Sequence, residues 1–181
     1  REARVCVVGG AGFLGSHFAA FLTTRKIEFT PFSKSLGFDM ANAEAVKRAV
    51  SGHDSVVHAA AAAVGRKKME ERPELAEVER QGARNFARAC EEFGVPLVYT
   101  SSIRVYGSSA ELEGGETVDL HPADRYGKVK LECENIIRER CSRFAIMRIA
   151  AIYGPRMPKD FVVSIFFSAV KAEHPIQMQT D

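Results

Sequence analysis

A chain of 181 residues, 46% hydrophobic and 27% charged, is long enough for one domain with a real core and too short for a second full one. Its net charge of +2 comes from Lys and Arg scattered among acids, which leaves out the basic face of a nucleic-acid binder. The longest apolar stretch, residues 55–64, is Ala-rich and too short to span a bilayer, and no secretory leader is visible.

The first run, Val5-Cys-Val-Val8, is short, continuously apolar and ends in glycines, as expected for a strand buried on both faces. Residues 13–22 then show helical periodicity through Phe13, Leu14, Phe18, Phe21 and Leu22. Strand-like segments recur at 28–32, 55–58, 97–100 and 144–148, each separated from the next by a helical stretch. This alternation predicts an α/β fold: βαβ units forming a doubly wound, Rossmann-type parallel sheet with helices on both faces. Arg66-Lys67-Lys68, followed by Glu70, Glu71 and Glu74, reads as a solvated helix start. The longest helical stretch, 74–93, carries Leu75, Val78, Gly82, Phe86, Ala89 and Phe93 on one stripe, and Gly94 and Pro96 stop it. Residues 108–116 read as a loop, and the helix around Tyr126 places Val129, Cys133, Ile136 and Ile137 on one side. Cys6, Cys90, Cys133 and Cys141 lack CxxC spacing, so packed, reduced thiols in a cytoplasmic protein are expected, with no metal. The chain begins at Arg1 rather than Met, which leaves a removed leader or a shortened start open.

Gly9-Gly-Ala-Gly12-Phe-Leu-Gly15 sits between the first strand and the first helix, the context in which a glycine pattern has meaning. Gly9 suits the tight turn, Gly12 the approach of a pyrophosphate and Gly15 close helix packing, while the helix N-terminus offers N–H groups to the anion. Dinucleotide choice is set near the end of the second strand, where an acid commonly binds the ribose 2′-hydroxyl. Here the chain reads Pro31-Phe32-Ser33-Lys34-Ser35, with a Lys and two hydroxyls to hold a 2′-phosphate, so NADP is favoured and NAD remains the alternative. Asp39-Met40 lies on the way to the third strand, and Ala59-Ala60-Ala61 follows that strand. Small residues there suit either a backbone lying against a flat ring or Ala-rich helix packing, and spacing does not choose between them. Tyr126 and Lys130 fall one helical turn apart, on one face. An ammonium beside a phenol favours the phenolate, lowering a pKa that starts near about 10 toward the range of proton exchange with a substrate.

The glycine loop, Val57-His58-Ala59-Ala60, Thr100-Ser101-Ser102 with Val105-Tyr106-Gly107, Tyr126-Gly-Lys-Val-Lys130, and Arg148-Ile-Ala-Ala-Ile-Tyr153-Gly-Pro-Arg156 occur in that order. Together, from Val5 to about Pro158, they resemble the extended short-chain dehydrogenase/reductases, the family of NAD-dependent epimerases and dehydratases acting largely on nucleotide sugars. The resemblance implies Ser102 as the catalytic Ser/Thr, Tyr126 as the acid/base, and Lys130 as the residue that lowers the Tyr pKa and binds the nicotinamide ribose. It also implies Gly9, Gly12, Phe13, Leu14 and Gly15 at the pyrophosphate, Asp39 and Met40 at the adenine, and Ala59, Ala60 and Ala61 along the adenosine ribose and pyrophosphate. A homodimer through the helices at 74–93 and 126–140 is implied as well.

Several features depart from the family. Val8 stands where a Thr is usual, and Glu79 takes the place of an Asn that in relatives supports a proton relay or the kink of its helix. Relatives carry a C-terminal substrate lobe that is largely missing here, so residues 1–158 are expected to form the dinucleotide-binding domain and 159–181 the start of a truncated substrate region. The last residues, from His174-Pro-Ile-Gln-Met, resemble the beginning of a strand, and a helix is expected over 161–172. The expected function is an NAD(P)-dependent oxidoreductase or epimerase of a nucleotide-sugar-like substrate. The alternatives are a 4-keto-sugar reductase and a non-catalytic or sensor dinucleotide module. Arg104 is either a substrate-phosphate contact or a surface salt bridge.

Overall fold

The computed structural model describes residues 3–62, 66–107, 115–116, 118–159 and 161–175. Five strands alternate with helices: β1 (Arg4–Val8), α1 (Phe13–Thr24), β2 (Glu28–Phe32), α2 (Ala43–Ser51), β3 (Ser55–His58), α3 (Arg66–Glu71), α4 (Leu75–Phe93), β4 (Leu97–Ser102), α5 (Arg125–Arg140), β5 (Phe144–Ile149) and α6 (Val162–Lys171). Short 3₁₀ turns follow β2 at Lys34–Leu36 and β4 at Ile103–Tyr106. All pairings are parallel and the strand order is β2-β1-β3-β4-β5. Most of the expected 108–116 loop, and residues from Ile176 onward in the expected final strand, lie outside the described residues.

Side chains of β1 alternate between two cores, as a strand buried on both faces requires. Val5 and Val7 join Val57, Leu22 and Phe18 on the α1 side. Cys6 and Val8 join Val56, Leu97 and Tyr99 beneath α2, α4 and α5, which contribute Val46, Phe86, Val129 and Ile137. All four cysteines are buried and free.

Local chemistry sets the element ends. The Asn42 side chain accepts from the Ala45 N–H at 3.0 Å and starts α2, and Asp124 does the same for α5 through Gly127 N–H at 2.8 Å. Gly94, at φ +64°, closes α4, and the Val95 N–H turns back onto the Cys90 carbonyl. The α4 stripe differs from expectation at its end: Phe93, the last residue of the helix before Gly94, is 40% exposed beneath the Lys47 ammonium.

Residues Arg1–Ala150 form one compact unit and Ala151–Asp181 a second, whose α6 exposes Val162, Ile165, Phe167 and Val170. Among the described residues no helix is long and apolar enough to cross a membrane.

Candidate active site

Connections from β1 and β3 leave the sheet in opposite directions, because β2 and β3 flank β1 on either side. Such a switch point opens a crevice at the carboxyl ends of its strands. Gly9 lies at its floor with φ +82°, its N–H donating to the Phe32 carbonyl at 2.7 Å. A Cβ on Gly9 would come within 2.7 Å of the Ala60 nitrogen and 2.8 Å of the Ala59 carbonyl, so only glycine lets the two segments touch. A Cβ on Gly15 would overlap the Gly9 carbonyl, and the Gly12 N–H reaches that same oxygen at 2.8 Å. Gly12 has no side chain with which to cap α1, and the first turn, beginning Phe13-Leu14, holds no acid, the electrostatic setting in which a helix start accepts an anion.

The end of β2 joins this crevice through Phe32. Ser33 and Ser35 hydroxyls lie 2.9 Å apart, flanking the exposed Lys34. Asp39 is exposed, its Oδ1 accepting from the Ala41 N–H at 2.9 Å. The Met40 side chain is buried against Gly82 of α4, where an added Cβ would meet Met40 Sδ at 3.0 Å, so its thioether belongs to the core. Asn85 of α4 was not singled out in the sequence, yet its amide donates to the Met40 and Ala41 carbonyls at 2.9 and 3.0 Å and fastens this loop. Its position two residues after Ala83 on a buried face was the available signal.

Ser102 ends β4, and its Oγ accepts from the Arg104 N–H at 3.3 Å. Tyr126 is the second residue of α5. Arg104 forms a salt bridge, its Nε donating to Asp124 Oδ2 at 2.6 Å, and a Cβ on Gly127 would come within 2.5 Å of the Arg104 carbonyl. The turn after Ser102 is thereby held against the start of the Tyr126 helix. Thr100 donates to the His58 carbonyl at 3.0 Å, tying the same strand end to β3.

Lys130 is buried, and its ammonium donates to the Tyr99 hydroxyl at 3.3 Å and the Thr100 carbonyl at 3.4 Å. Glu79 Oε1 lies 3.6 Å away, whereas the Tyr126 ring centroid is 6.0 Å away. The expectation of a phenol drawn below its ordinary value is therefore corrected: burial pushes Tyr126 up, and the Lys130 charge only partly opposes it. Burial likewise raises the Glu79 carboxyl, opposed by Lys130 and the Ala62 backbone. His58 is fully buried edge-on to Phe86, and burial, aided by Lys130, pushes it down to about 3, so its imidazole is neutral.

Behind this layer lies Glu134, fully buried on α5. Arg148 of β5 grips it in a bidentate pair at 3.1 and 2.9 Å, Ser101 donates at 2.6 Å and Arg138 at 3.0 Å. Arg148 also donates to the Tyr106 hydroxyl at 2.8 Å, at the far end of the turn after Ser102.

The family model of the RmlD substrate binding domain matches residues 3–181. The chain belongs to the extended short-chain dehydrogenase/reductases. Among curated relatives, an Escherichia coli O157:H7 N-acetyl-alpha-D-glucosaminyl-diphospho-ditrans,octacis-undecaprenol 4-epimerase is 30% identical over 174 residues, covering 84% of this chain and 50% of that protein. The solved Thermus thermophilus UDP-glucose 4-epimerase complexed with NAD is 29% identical with a TM-score of 0.83, covering 96% of this chain and 64% of that one. The Bacillus anthracis dTDP-4-dehydrorhamnose reductase in complex with NADP is 26% identical with a TM-score of 0.81, over 95% and 61%. This short-chain dehydrogenase/reductase chain spans about half the length of the curated relatives it matches.

Proposed function

We propose that this chain is the dinucleotide-binding part of an NAD(P)-dependent oxidoreductase or epimerase acting on a nucleotide-sugar-like substrate, located in the cytoplasm. The observation that carries the reading is the contact of Gly9 with Ala59-Ala60 at the switch point, beside the Ser102 turn held against the Tyr126 helix. The loop fits a dinucleotide because its glycines pack backbone on backbone with no Cβ between, beside a helix start whose first turn carries no acid. Gly12, Phe13, Leu14 and Gly15 would receive the pyrophosphate at the start of α1. Ala59, Ala60 and Ala61, with Asp39 and the Met40 backbone, would border the adenosine.

When bound, the nicotinamide supplies a carbon that gives or takes hydride. Tyr126 moves the proton at the substrate oxygen, Ser102 hydrogen-bonds that oxygen, and Lys130 binds and orients at the ribose side of the same pocket. Relatives that are 4-epimerases and a dTDP-4-dehydrorhamnose reductase support both an epimerase and a 4-keto-sugar reductase reading. A non-catalytic or sensor module of the same fold is the second reading, favoured by a Lys130 ammonium 3.6 Å from Glu79 and 6.0 Å from the Tyr126 ring centroid.

Titration of the chain with NADPH and NADH tests the site, and failure to bind either overturns it. Ser33, Lys34 and Ser35 supply a cation and two hydroxyls suited to a 2′-phosphate, so NADP is the favoured cofactor. Lys34→Ala is expected to weaken NADPH several-fold while leaving NADH nearly unchanged; equal losses would remove the preference. Pairing of two copies through α4 and α5 is proposed from the family. Light scattering across a concentration series should then read a dimer mass, and a constant monomer mass would remove that part.

A further inference from the structure

We propose that Glu79 is the counter-ion of Lys130, a positioning residue whose carboxylate keeps the buried ammonium charged and held at the end of β4. The two groups come from different helices, α4 and α5, and meet with Oε1 3.6 Å from Nζ while their side chains are 1% and 3% exposed. Neither Glu79 oxygen makes a regular hydrogen bond among the described residues, and beside Lys130 only the Ala62 backbone acts to favour its charged form.

The groups facing Lys130 define what Glu79 adds. From β4 come the Tyr99 hydroxyl and the Thr100 carbonyl, from α5 Tyr126 and Cys133, and from β3 His58. Burial raises Tyr99, Tyr126 and Cys133, keeping them neutral acids, and the His58 imidazole is neutral. Arg80, the neighbouring cation on α4, is engaged by Glu77 and Glu132. Burial raises the Glu79 carboxyl too, yet of the groups within reach of Lys130 it is the strongest acid and the one placed to supply a full negative charge. An ammonium this buried sheds its proton unless a counter-charge offsets the lost hydration. At Lys130 burial does act in that direction, and Glu79 is foremost among the groups that together oppose it.

The inference rests on the proposed function only in assigning Lys130 to a dinucleotide site, and two measurements separate the two. Nitrogen and carbon NMR of the Lys130 side chain, from about pH 6 to about pH 10, should show an ammonium throughout in wild type. In Glu79→Gln, which keeps shape and removes charge, Lys130 should deprotonate within that range, and Glu79→Asp should restore the ammonium. NADPH affinity of Glu79→Gln should then fall about tenfold for each pH unit above that transition, with wild type flat. A Lys130 ammonium that persists in Glu79→Gln across the range overturns the proposal. So does a protonated Glu79 carboxyl carbon signal in wild type at about pH 8, a reading that needs no variant. Should wild type bind neither dinucleotide while the NMR behaves as described, the proposed function fails and the Glu79 assignment stands.

Discussion

Tyr126→Phe is expected to lower turnover by about 10²- to 10⁴-fold while leaving NADPH affinity nearly intact. The substitution removes one hydroxyl and keeps the ring that faces Lys130, so the packing of α5 against β4 is preserved. The loss therefore reports on proton transfer rather than folding. The direction of the Tyr126 shift adds a second reading. Burial holds the phenol above its ordinary value, so near neutral pH it is protonated and equipped to donate, as reduction requires. Oxidation needs the phenolate, and its rate should rise as pH climbs toward the alkaline range, a rise that Tyr126→Phe abolishes. Unchanged turnover in the variant, with wild-type cofactor affinity, would instead favour the sensor reading.

The contrast between the Tyr126 expectation and its environment shows what the sequence can carry. Strand β1 was legible because its continuous apolar run ends in glycines, and β2 and β3 because short strand-like segments alternate with helical ones. The glycine loop was legible because three close approaches demand three glycines at fixed spacing, and the Gly9 contacts with Ala59 and Ala60 are that demand made visible. Periodicity also identified the inward sides of α4 and α5, but it assumes that charges point outward. Glu79, Lys130 and Glu134 point inward, and each is tolerated only because a partner far along the chain neutralises it. No local pattern encodes a pairing between residues 79 and 130. The sign of the Tyr126 shift was missed for the same reason: helical spacing gave the distance to Lys130 along the helix, not the depth at which both sit. The Phe93 exposure has a simpler origin, since it is the last residue of α4, where the helix closes at Gly94.

Arg148→Ala is expected to destabilise the fold by about 3 kcal/mol, because it leaves the fully buried Glu134 carboxylate without its bidentate partner. Burial alone would push Glu134 up; in the intact protein Arg148, Ser101 and Arg138 more than offset it and hold the carboxyl below the usual range. An acid depressed in the folded state contributes stability that is present above its unfolded value, near about 4.3, and is lost as pH falls through the folded one. Wild-type stability should accordingly rise between acid and neutral pH through this group. In Arg148→Ala burial, the largest of the influences on Glu134, should outweigh the two remaining donors, raise the carboxyl above its unfolded value and make its contribution to stability decline as pH increases. Urea unfolding at about pH 4 and about pH 7 reads both effects, the size of the loss and its reversed pH dependence. The double variant Glu134→Gln with Arg148→Met removes both charges and should recover much of the loss, as replacing a buried pair by apolar or neutral groups commonly does. Because Arg148 also holds the Tyr106 hydroxyl, the double variant separates two roles. Recovered stability with turnover still depressed would mean that the Arg148–Tyr106 bond orients the Ser102 turn. Recovery of both would mean that Arg148 serves only to neutralise Glu134, and a stability loss in Arg148→Ala of the same size at both pH values would refute the charge argument itself.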